Sequence, residues 1–425
     1  MIDNIKYKNT SIGLMPIDWD VERFDNVFEL FSTNSFSRDN LTYEETENNI
    51  QNIHYGDIHS KFESEILDCS IECLPYIKDD LILNQKFNYL KDGDLVITDA
   101  SEDYEGVGEC IEVKNIGTKK IVSGLHTFLA RDNSNKTVQG FRTYIFNNPK
   151  VSIELKKIAT GISVFSISKS ELKKLKIPVP PIPEQQKIAD ILSTWDKAID
   201  NCKGIVDNLK NRNNGLSQQL LTGKMRVKGF EKANWSLVAI KKIAKDSSKK
   251  NPSDKELIVL SCTKHNGLVP SLEYFGRKIY SDDLTTYKIV SKGQFAYATN
   301  HIEEGSIGYQ SKYDEALISP MYTVFQTDET VNDNFLFRVL KSSNYIHEYQ
   351  KRMEGSIDRR GGLRWDEFSK IKVPVPEINE QIAINEILDK ATSELNQYQE
   401  KLQTLQLQKK GLMQQLLTGK IRVKI

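Results

Sequence analysis

The sequence lacks the features that mark secreted and membrane-embedded proteins. Only five cysteines occur among 425 residues, with no Cys-x-x-Cys pair, which argues against a disulfide scaffold and favours a reducing compartment. No apolar stretch approaches the roughly 18 residues of a membrane span, and the first ten residues lack the apolar core of a signal peptide. We therefore expect a soluble cytoplasmic protein that contacts no membrane.

Net charge is also absent, because 58 Lys and Arg balance 58 Asp and Glu. An anionic partner must then be held by local patches. Residues 224–250 carry nine basic and two acidic side chains, residues 150–176 carry seven Lys against two acids, and residues 351–372 carry seven Lys or Arg against four acids. Residues 39–105, in contrast, hold 17 acids and four basic residues. We expect the basic stretches to face an anionic partner and the acidic segment to point away from it.

The usual catalytic and cofactor motifs are missing. The sequence has no HExxH, no GxSxG, no Asn/Asp-Pro-Pro-Tyr element and no Cys/His quartet for zinc. Asp99, Glu112 and Lys114 loosely match the metal-binding set of many DNA nucleases, in which two carboxylates hold Mg²⁺. Since this set has no counterpart in the second half of the chain, we predict no catalytic residue and no metal site.

An internal repeat organises the sequence. Residues 175–228 align with residues 371–424 without a gap, and 23 of these 54 positions are identical. The strongest matches are KIPVPPIPEQ with KVPVPEINEQ and QQLLTGKMRVK with QQLLTGKIRVK. Weaker similarity continues upstream, where KDGDLVITDA (91–100) matches SKGQFAYATN (291–300). The chain therefore contains two copies of one unit.

Each repeated segment predicts one long helix with a heptad seam, because apolar residues recur at steps of four and three. The predicted seam residues of the helix pair are Ile188, Leu192, Trp195, Ile199, Val206, Leu209, Leu216 and Leu220 in the first copy, and Ile384, Leu388, Leu395, Tyr398, Leu402, Leu405, Leu412 and Leu416 in the second. The second seam has one charged member, Lys409, which aligns with Asn213 of the first. Two matching seams favour helices that pack together, with membership of a larger bundle as the alternative.

Prolines and glycines mark the ends of these helices. The proline cluster at 178–183 and its copy at 374–376 predict extended entry segments, after which Glu184 and Glu380 favour helix starts because a negative charge suits the helix dipole. Gly223 and Gly419, in the repeated Thr-Gly-Lys, predict helix stops.

The remaining segments predict two variable α+β domains. Predicted strands are 94–99, 107–113, 122–130, 257–262, 294–299 and 316–327, and predicted helices are 151–159 and 334–353. The resulting domain boundaries are 1–175 for the first variable domain, 176–228 for the first helix, 229–370 for the second variable domain and 371–425 for the second helix.

The repeated segments PVPPIPEQQKIADIL and QQLLTGKMRVK resemble the conserved regions of the specificity subunit of type I restriction-modification enzymes. The resemblance covers the whole chain in the order variable, conserved, variable, conserved, and it is strongest in the conserved segments. It implies an α+β fold class with two mixed α/β target recognition domains in tandem. It also implies that two long antiparallel coiled-coil helices with pseudo-two-fold symmetry join these domains.

The resemblance further implies a DNA-reading role and a set of partners. Each recognition domain would read one half of a bipartite double-stranded DNA target, while the helices set the spacer and dock two methyltransferase (modification) subunits. Motor-nuclease (restriction) subunits can join such a complex. The chain itself is expected to be non-catalytic and to hold no cofactor, because S-adenosylmethionine, ATP and Mg²⁺ are bound by the partner subunits.

By the same resemblance, the loop before each conserved region is expected to contact DNA. The repeated loops that begin at Thr98 and Thr299 are weaker candidates, which the internal repeat suggests. The expected DNA-binding residues are Thr98, Thr160, Gly161, Ser163, Ser166 and Lys169 in the first domain, and Thr299, Asn300, Gly355, Ser356, Arg359, Arg360 and Arg364 in the second. Arginines on a glycine-rich loop can bond guanine edges bidentately, although a solvated loop is the alternative.

Two alternative functions remain open at the level of sequence. One is a stand-alone Mg-dependent DNA nuclease that uses Asp99, Glu112 and Lys114, and the other is a coiled-coil adaptor with no DNA role. DNA cleavage by the purified chain with Mg²⁺, abolished by Asp99→Ala, would establish the nuclease. Equal binding of all DNA sequences by the chain with its methyltransferase partner would favour the adaptor.

We predict that Arg360→Ala relaxes selectivity at one half-site and leaves the other unchanged, because a bidentate contact to one base pair is removed. The expected loss of discrimination at the affected position is about tenfold to a hundredfold. Competition binding with duplexes substituted at single positions in either half-site measures it. A uniform loss of affinity across both half-sites would contradict the assignment, since that is the pattern of a phosphate contact.

Overall fold

A computed structural model of the chain describes residues 6–62, 64–82, 85–251, 256–354 and 362–424. These residues form two compact units. The first contains the described residues up to Gly204 together with those from Glu400 onward, and the second spans Ile205–Gln399. Each unit therefore draws on both halves of the sequence. The boundaries drawn from the sequence at residues 175, 228 and 370 stay predictions.

The first unit contains a mixed α/β domain. Its strands are β1 (Tyr7–Thr10), β2 (Gly13–Pro16), β3 (Asp20–Arg23), β4 (Phe28–Phe31), β5 (Leu41–Thr42), β6 (Ile50–Ile53), β7 (Ile66–Asp68), β8 (Tyr76–Ile77), β9 (Leu95–Thr98), β10 (Ala100–Ser101), β11 (Cys110–Lys114), β12 (Lys120–Ser123), β13 (Thr127–Asp132), β14 (Phe165–Ser166) and β15 (Lys176–Val179), and its short helices are α1 (Tyr55–Ser60), α2 (Pro149–Ile158) and α3 (Lys169–Lys174). The larger sheets have the orders β4-β13-β9-β11-β7 and β12-β6-β8-β5, and β3 pairs with β15.

The second unit contains a smaller domain with related pairings. Its strands are β16 (Ser236–Ala239), β17 (Ala244–Asp246), β18 (Lys249–Lys250), β19 (Leu260–Thr263), β20 (Gly267–Pro270), β21 (Lys288–Ser291), β22 (Phe295–Ala298), β23 (Ile307–Tyr309), β24 (Glu315–Ile318), β25 (Tyr322–Thr327) and β26 (Lys372–Val375). Its short helices are α5 (Ser271–Phe275), α6 (Asp333–Lys341), α7 (Ser343–Glu354) and α8 (Trp365–Phe368). The sheets have the orders β17-β25-β22-β23 and β18-β21-β24, with further pairs β19–β20 and β16–β26.

Two long helices carry the repeated segments. We number them α4' for Ile182–Leu221 and α9 for Ile378–Leu417, and each has 40 residues. At 1.5 Å per residue, a helix of this length spans about 60 Å. All of the predicted seam residues are buried or half-buried. The predicted fold class, mixed helix-and-sheet domains with long helices, is confirmed.

The helices run antiparallel within the first unit. Lys409 of α9 is buried, and its ammonium group lies 2.5 Å from Asp196 of α4' and 2.7 Å from Glu65 of the domain. Leu192 of α4' and Leu416 of α9 belong to the same apolar core. The charged member of the second seam is thus fully paired, which offsets the cost of burying it.

The helices also run antiparallel within the second unit. Asn213 of α4' donates a hydrogen bond to the carbonyl oxygen of Ala391 in α9 at 2.8 Å, and Arg212 pairs with Glu394 at 2.8 Å. Leu220 and Leu388 share one apolar core. The polar residue that aligns with Lys409 is therefore satisfied by a backbone carbonyl group.

In the first unit, a buried carboxylate binds the segment that follows α9. Glu184, in the first turn of α4', has no solvent exposure and accepts hydrogen bonds from Trp19 Nε1 at 2.7 Å and from Arg422 Nε at 2.6 Å. Arg422 also pairs with Asp18 and holds the pKa of that carboxyl below its usual value. Glu184 thus lies at a helix start as predicted, and in addition it anchors the tail that follows the other helix.

The second unit has the same anchor, made by the repeat-related residues: Glu380 aligns with Glu184, and Arg226 aligns with Arg422. Glu380, fully buried in the first turn of α9, accepts from Trp235 Nε1 at 2.9 Å and from Arg226 Nε at 2.9 Å. Gly223 and Gly419, with φ of +69° and +68°, end the two helices in the left-handed conformation. In each repeated Thr-Gly-Lys-x-Arg tail, the glycine therefore ends the helix. The arginine then bonds the buried glutamate in the first turn of the other long helix.

A buried glutamate lies in the core of the first domain. Glu112, in β11, has no solvent exposure and accepts backbone hydrogen bonds from Gly140 at 2.6 Å and Thr143 at 3.3 Å. Burial raises the pKa of Glu112 to about 7, although these donors and nearby Arg142 favour the charged form. The carboxyl group is therefore a structural group that titrates near neutrality.

None of the helices in the described ranges is both long and apolar enough to cross a membrane.

We predict that Glu184→Gln destabilises the chain by about 3 kcal/mol, because it removes one charge of a buried pair and leaves Arg422 with the half-exposed Asp18 as its remaining carboxylate. Urea unfolding of the full chain measures the change. Glu171→Gln is the matched control, since Glu171 pairs with Lys174 at the surface and its loss should cost less than about 1 kcal/mol. Equal effects of the two variants would contradict the role of Glu184.

We also predict a stability change with pH that depends on Glu112. Because its pKa in the folded chain is about 7, against 4.5 for an exposed glutamate, the unfolded chain loses the proton first as the pH rises. The neutral Glu112 carboxyl group therefore adds about 3 kcal/mol to the free energy of unfolding below pH 4.5. This contribution is lost as the pH rises through about 7. Glu112→Gln should remove this dependence, measured as the difference in unfolding free energy between variant and wild type at pH 5 and pH 8. A difference that does not vary with pH would refute the prediction.

Candidate nucleic-acid interface

Three segments of the first domain meet at one edge, which we call the first recognition edge: residues 98–101, 124–126 and 160–166. The amide of Ile167 donates to the carbonyl oxygen of Asp99 at 2.8 Å, and β10 pairs with β14. The amide of Asp99 in turn donates to the carbonyl oxygen of His126 at 3.0 Å. Two segments predicted from separate parts of the sequence therefore form one surface.

The loop 160–166 is a tight hairpin. Thr160 and Ser166 exchange two backbone hydrogen bonds of 2.9 Å and 2.8 Å. Gly161 has a φ of +140°, and a Cβ atom at this position would clash with the carbonyl oxygen of Val164. Only glycine fits there, so the loop is held in a fixed shape at its base.

The predicted DNA-binding residues of the first domain fall into two groups. Thr160, Gly161, Ser163 and Ser166 are exposed on the hairpin, and Lys169 is exposed at the start of α3.

Thr98, in contrast, has no solvent exposure, and its hydroxyl group donates to the carbonyl oxygen of Glu109. Its burial contradicts the prediction that this side chain contacts DNA directly. Thr98 instead ends the strand that supports the edge.

The second domain has an equivalent second recognition edge, formed by residues 299–300, 319–321 and 362–364. The amide of Leu363 donates to the carbonyl oxygen of Thr299 at 2.9 Å, as Ile167 does to Asp99. The hydroxyl of Thr299 donates to the carbonyl oxygen of Met321 at 2.9 Å. The repeat therefore preserves the backbone framework of the edge.

The side chains predicted for the second domain are divided in the same way. Asn300 and Arg364 are exposed. Thr299 is only 8% exposed, which contradicts a direct DNA contact by its side chain. The remaining predicted residues, Gly355, Ser356, Arg359 and Arg360, lie outside the described residues.

Histidines and carboxylates adjoin the first edge, a cluster that the sequence did not indicate. His126 Nδ1 lies 3.1 Å from Asp99, and His59 Nδ1 lies 2.6 Å from Glu109, whose hydrogen bond raises the pKa of His59. The Tyr55 ring stands edge-on to both imidazoles, at centroid distances of 5.2 Å and 6.1 Å. Residues 55–59, 99 and 126 are far apart in the sequence and have no repeated spacing, so no motif could have revealed the cluster.

The last residues of the acidic segment, 99–105, lie beside this edge, although we expected the segment to point away from the anionic partner. The Tyr104 ring packs edge-on against Phe165 of the hairpin at 5.1 Å, and its hydroxyl donates to the carbonyl oxygen of Lys156. Glu105 forms an ion pair with Lys156, so part of the acidic charge is neutralised locally. The expectation is therefore wrong for residues 99–105, because β10 pairs with β14 of the hairpin and the turn at 102–109 follows β10 directly.

The proposed nuclease set is not brought together. Glu112 is enclosed by backbone donors, Asp99 pairs with His126, and Lys114 faces Asp68 at 3.7 Å. Elsewhere, His301, Glu303 and Glu304 bring potential ligand atoms within 4.8 Å of one another on a largely exposed turn, as acidic surface groups often do without an ion.

Comparison with known sequences agrees with the resemblance of the repeated segments. Residues 16–211 match a family model described as the type I restriction modification DNA specificity domain. A putative type I restriction enzyme specificity subunit, MjaX, of Methanocaldococcus jannaschii is 26% identical, over 98% of this chain and 97% of that protein. The MjaVIII specificity subunit of the same organism is 27% identical, over 73% of this chain and 76% of that protein.

Solved structures share the fold over nearly the whole chain. The S subunit of a type I restriction-modification system from M. genitalium has a TM-score of 0.50 at 15% identity, covering 97% of this chain and 96% of that one. A chain from a structural study of assembly and conformational transition in the type I R-M system has a TM-score of 0.57 at 13% identity, covering 96% and 99%. The sequence matches confirm the resemblance seen in the repeated segments: residues 16–211 match the type I restriction modification DNA specificity domain, and nearly the whole chain is similar to a type I restriction enzyme specificity subunit.

Proposed function

We propose that the chain is the DNA-reading specificity subunit of a type I restriction-modification complex, and that each recognition domain reads one half of a bipartite double-stranded target. The observation that carries this proposal is the duplicated recognition edge. In both domains the loop before the conserved region is tied to the end of a central strand by an equivalent backbone hydrogen bond. A chain with two equivalent edges suits a target with two half-sites.

The two edges carry different side chains and should therefore read different half-sites. The first edge exposes hydroxyl groups on Thr160, Ser163 and Ser166, whereas the second exposes Asn300 and Arg364. Asparagine pairs well with adenine and arginine with guanine in the major groove. The proposed target is accordingly asymmetric.

Exposed lysines supply the sequence-independent part of binding. In the second domain these are Lys241, Lys242, Lys245, Lys249 and Lys250, and in the first they are Lys157, Lys169 and Lys173. Phosphate contacts of this kind provide affinity and position the protein, while base contacts specify the sequence. The overall neutrality of the chain is compatible with DNA binding because the cations are concentrated in a few stretches.

The long helices are the proposed spacer and docking surface. Half-sites are commonly separated by about one turn of DNA, roughly 34 to 36 Å, and helices of about 60 Å are long enough to span that distance. Because the helix segments are repeated, they offer two equivalent surfaces, which suits two methyltransferase subunits in a pseudo-symmetric complex. Motor-nuclease subunits are a further proposed partner.

In this proposal the chain contributes recognition and its partners contribute chemistry. S-adenosylmethionine, ATP and Mg²⁺ are assigned to the partner subunits, and the complex acts in the cytoplasm. The separate contacts of Asp99, Glu112 and Lys114 support this division of roles, since the three side chains face different partners.

We predict that Asn300→Asp weakens binding of the target duplex about tenfold, because it places a negative charge at the second recognition edge next to the DNA phosphates. The measurement is competition between target and scrambled duplexes on the chain assembled with its methyltransferase subunits, with the target taken from methylated positions in the host genome.

Asn135→Asp is the matched control, because Asn135 is exposed on a turn after β13, away from the edge segments. It makes the same chemical change and should leave affinity unchanged. If both variants bind the target with equal affinity, the second recognition edge does not contact the DNA. Equal binding of target and scrambled duplexes by the wild-type complex would refute the proposed function itself.

A further inference from the structure

The hairpin of the first recognition edge presents an isoleucine to solvent. Ile162 is 95% exposed, and the neighbouring Val164 is 52% exposed. Exposed large apolar side chains are common singly, but this one lies at the tip of the loop where the family resemblance expects DNA contacts. Its position therefore calls for a role other than packing within the chain.

The hairpin holds Ile162 outward in a fixed shape. The paired amides of Thr160 and Ser166 close its base, and Gly161 adopts a conformation that brings the chain close to the Val164 carbonyl group. Phe165, on the same hairpin, packs against Tyr104 and fixes the loop to the domain. An apolar side chain on such a rigid loop loses little conformational entropy when it is inserted into a partner.

We infer that Ile162 is a wedge that inserts between two stacked base pairs of the first half-site. This inference rests on the proposed DNA-reading function and names how one edge performs it. Proteins that kink DNA commonly insert one or two apolar side chains at a base step, partly unstacking it. Pyrimidine–purine steps unstack most easily, so the recognised half-site should contain one at the wedge.

The surroundings of Ile162 favour DNA over a protein partner. A protein interface requires a broad apolar patch, whereas the exposed neighbours of Ile162 on the hairpin are the short hydroxyl side chains Thr160, Ser163 and Ser166, with Val164 as the other apolar residue. Lys157 and Lys169 flank the loop in sequence and are exposed, which suits phosphates on either side of a kink. Three acids beside the hairpin have cationic or imidazole partners: Glu105 pairs with Lys156, Asp99 with His126 and Glu109 with His59.

The test uses the full chain assembled with its methyltransferase subunits. In the target duplexes, 2-aminopurine replaces one base at a time, except the bases that are methylated, because methyltransferases flip those bases out of the stack. The fluorescence of 2-aminopurine rises when the base is unstacked. We expect the wild-type complex to brighten the probe at one step in one half-site. Ile162→Ala should abolish this increase and weaken target binding about tenfold, with binding of scrambled DNA unchanged.

Ile71→Ala is the matched control, because Ile71 is 83% exposed on a turn of the same domain outside the recognition edge. It should brighten the probe and bind the target as the wild type does. Undiminished brightening with Ile162→Ala would overturn the wedge, and so would loss of co-elution with the methyltransferase subunits, which would make Ile162 a protein contact. If the wild-type complex discriminates target from scrambled DNA but brightens no probe, the wedge alone fails; if it does not discriminate, the proposed function fails as well.

Discussion

The buried carboxylate at the start of each long helix is the interaction on which the architecture depends. Glu184 and Glu380 are completely enclosed, and each accepts hydrogen bonds from one tryptophan and one arginine. A buried charge is tolerated only when it is fully paired. Each carboxylate therefore requires that a domain, a helix start and the tail of the other helix come together at one point, and this requirement makes each unit depend on both halves of the sequence.

The sequence predicted the repeated parts of the fold well, because repetition adds a second, independent reading of the same pattern. The helix starts near Glu184 and Glu380 and the glycine stops at Gly223 and Gly419 are all present. The variable domains were predicted less accurately. The sequence predicts one strand in each of the runs 122–130 and 316–327, but a turn interrupts each run, after Ser123 and Ile318 respectively.

The anchors themselves were missed, although a signal was available. Trp19 and Trp235 precede β3 and β16 at equivalent places, but the surrounding residues differ and the spacing between the two tryptophans differs from that of the conserved repeat. A heptad pattern reports which helix face is buried and gives no information on which distant side chain reaches a helix end. Pairings such as Trp19 with Glu184 depend on tertiary structure and could not be derived from spacing.

For the recognition edges, the sequence located the segments better than the side chains. In the first domain, loop 160–166 does meet the strand end at 98–101, and in the second domain residues 362–364 meet the strand end at 299–300. The order of the segments along the chain reflects a backbone framework that the two domains share. Whether a given threonine faces solvent depends on the strand alternation at its position and on neighbouring turns, which is why Thr98 and Thr299 proved to be buried.

The residues that follow each long helix bond the start of the other helix, and this arrangement affects the order in which the protein can fold during synthesis. Trp19 and Glu184 leave the ribosome early, but Arg422, which completes their anchor, is translated more than 200 residues after Glu184. At a typical 5 to 20 residues per second, this interval lasts roughly 10 to 50 seconds. Throughout that time Glu184 can accept from the Trp19 indole but lacks its arginine, and the apolar helix face that α9 covers stays exposed, so the nascent chain must remain soluble until Arg422 is made.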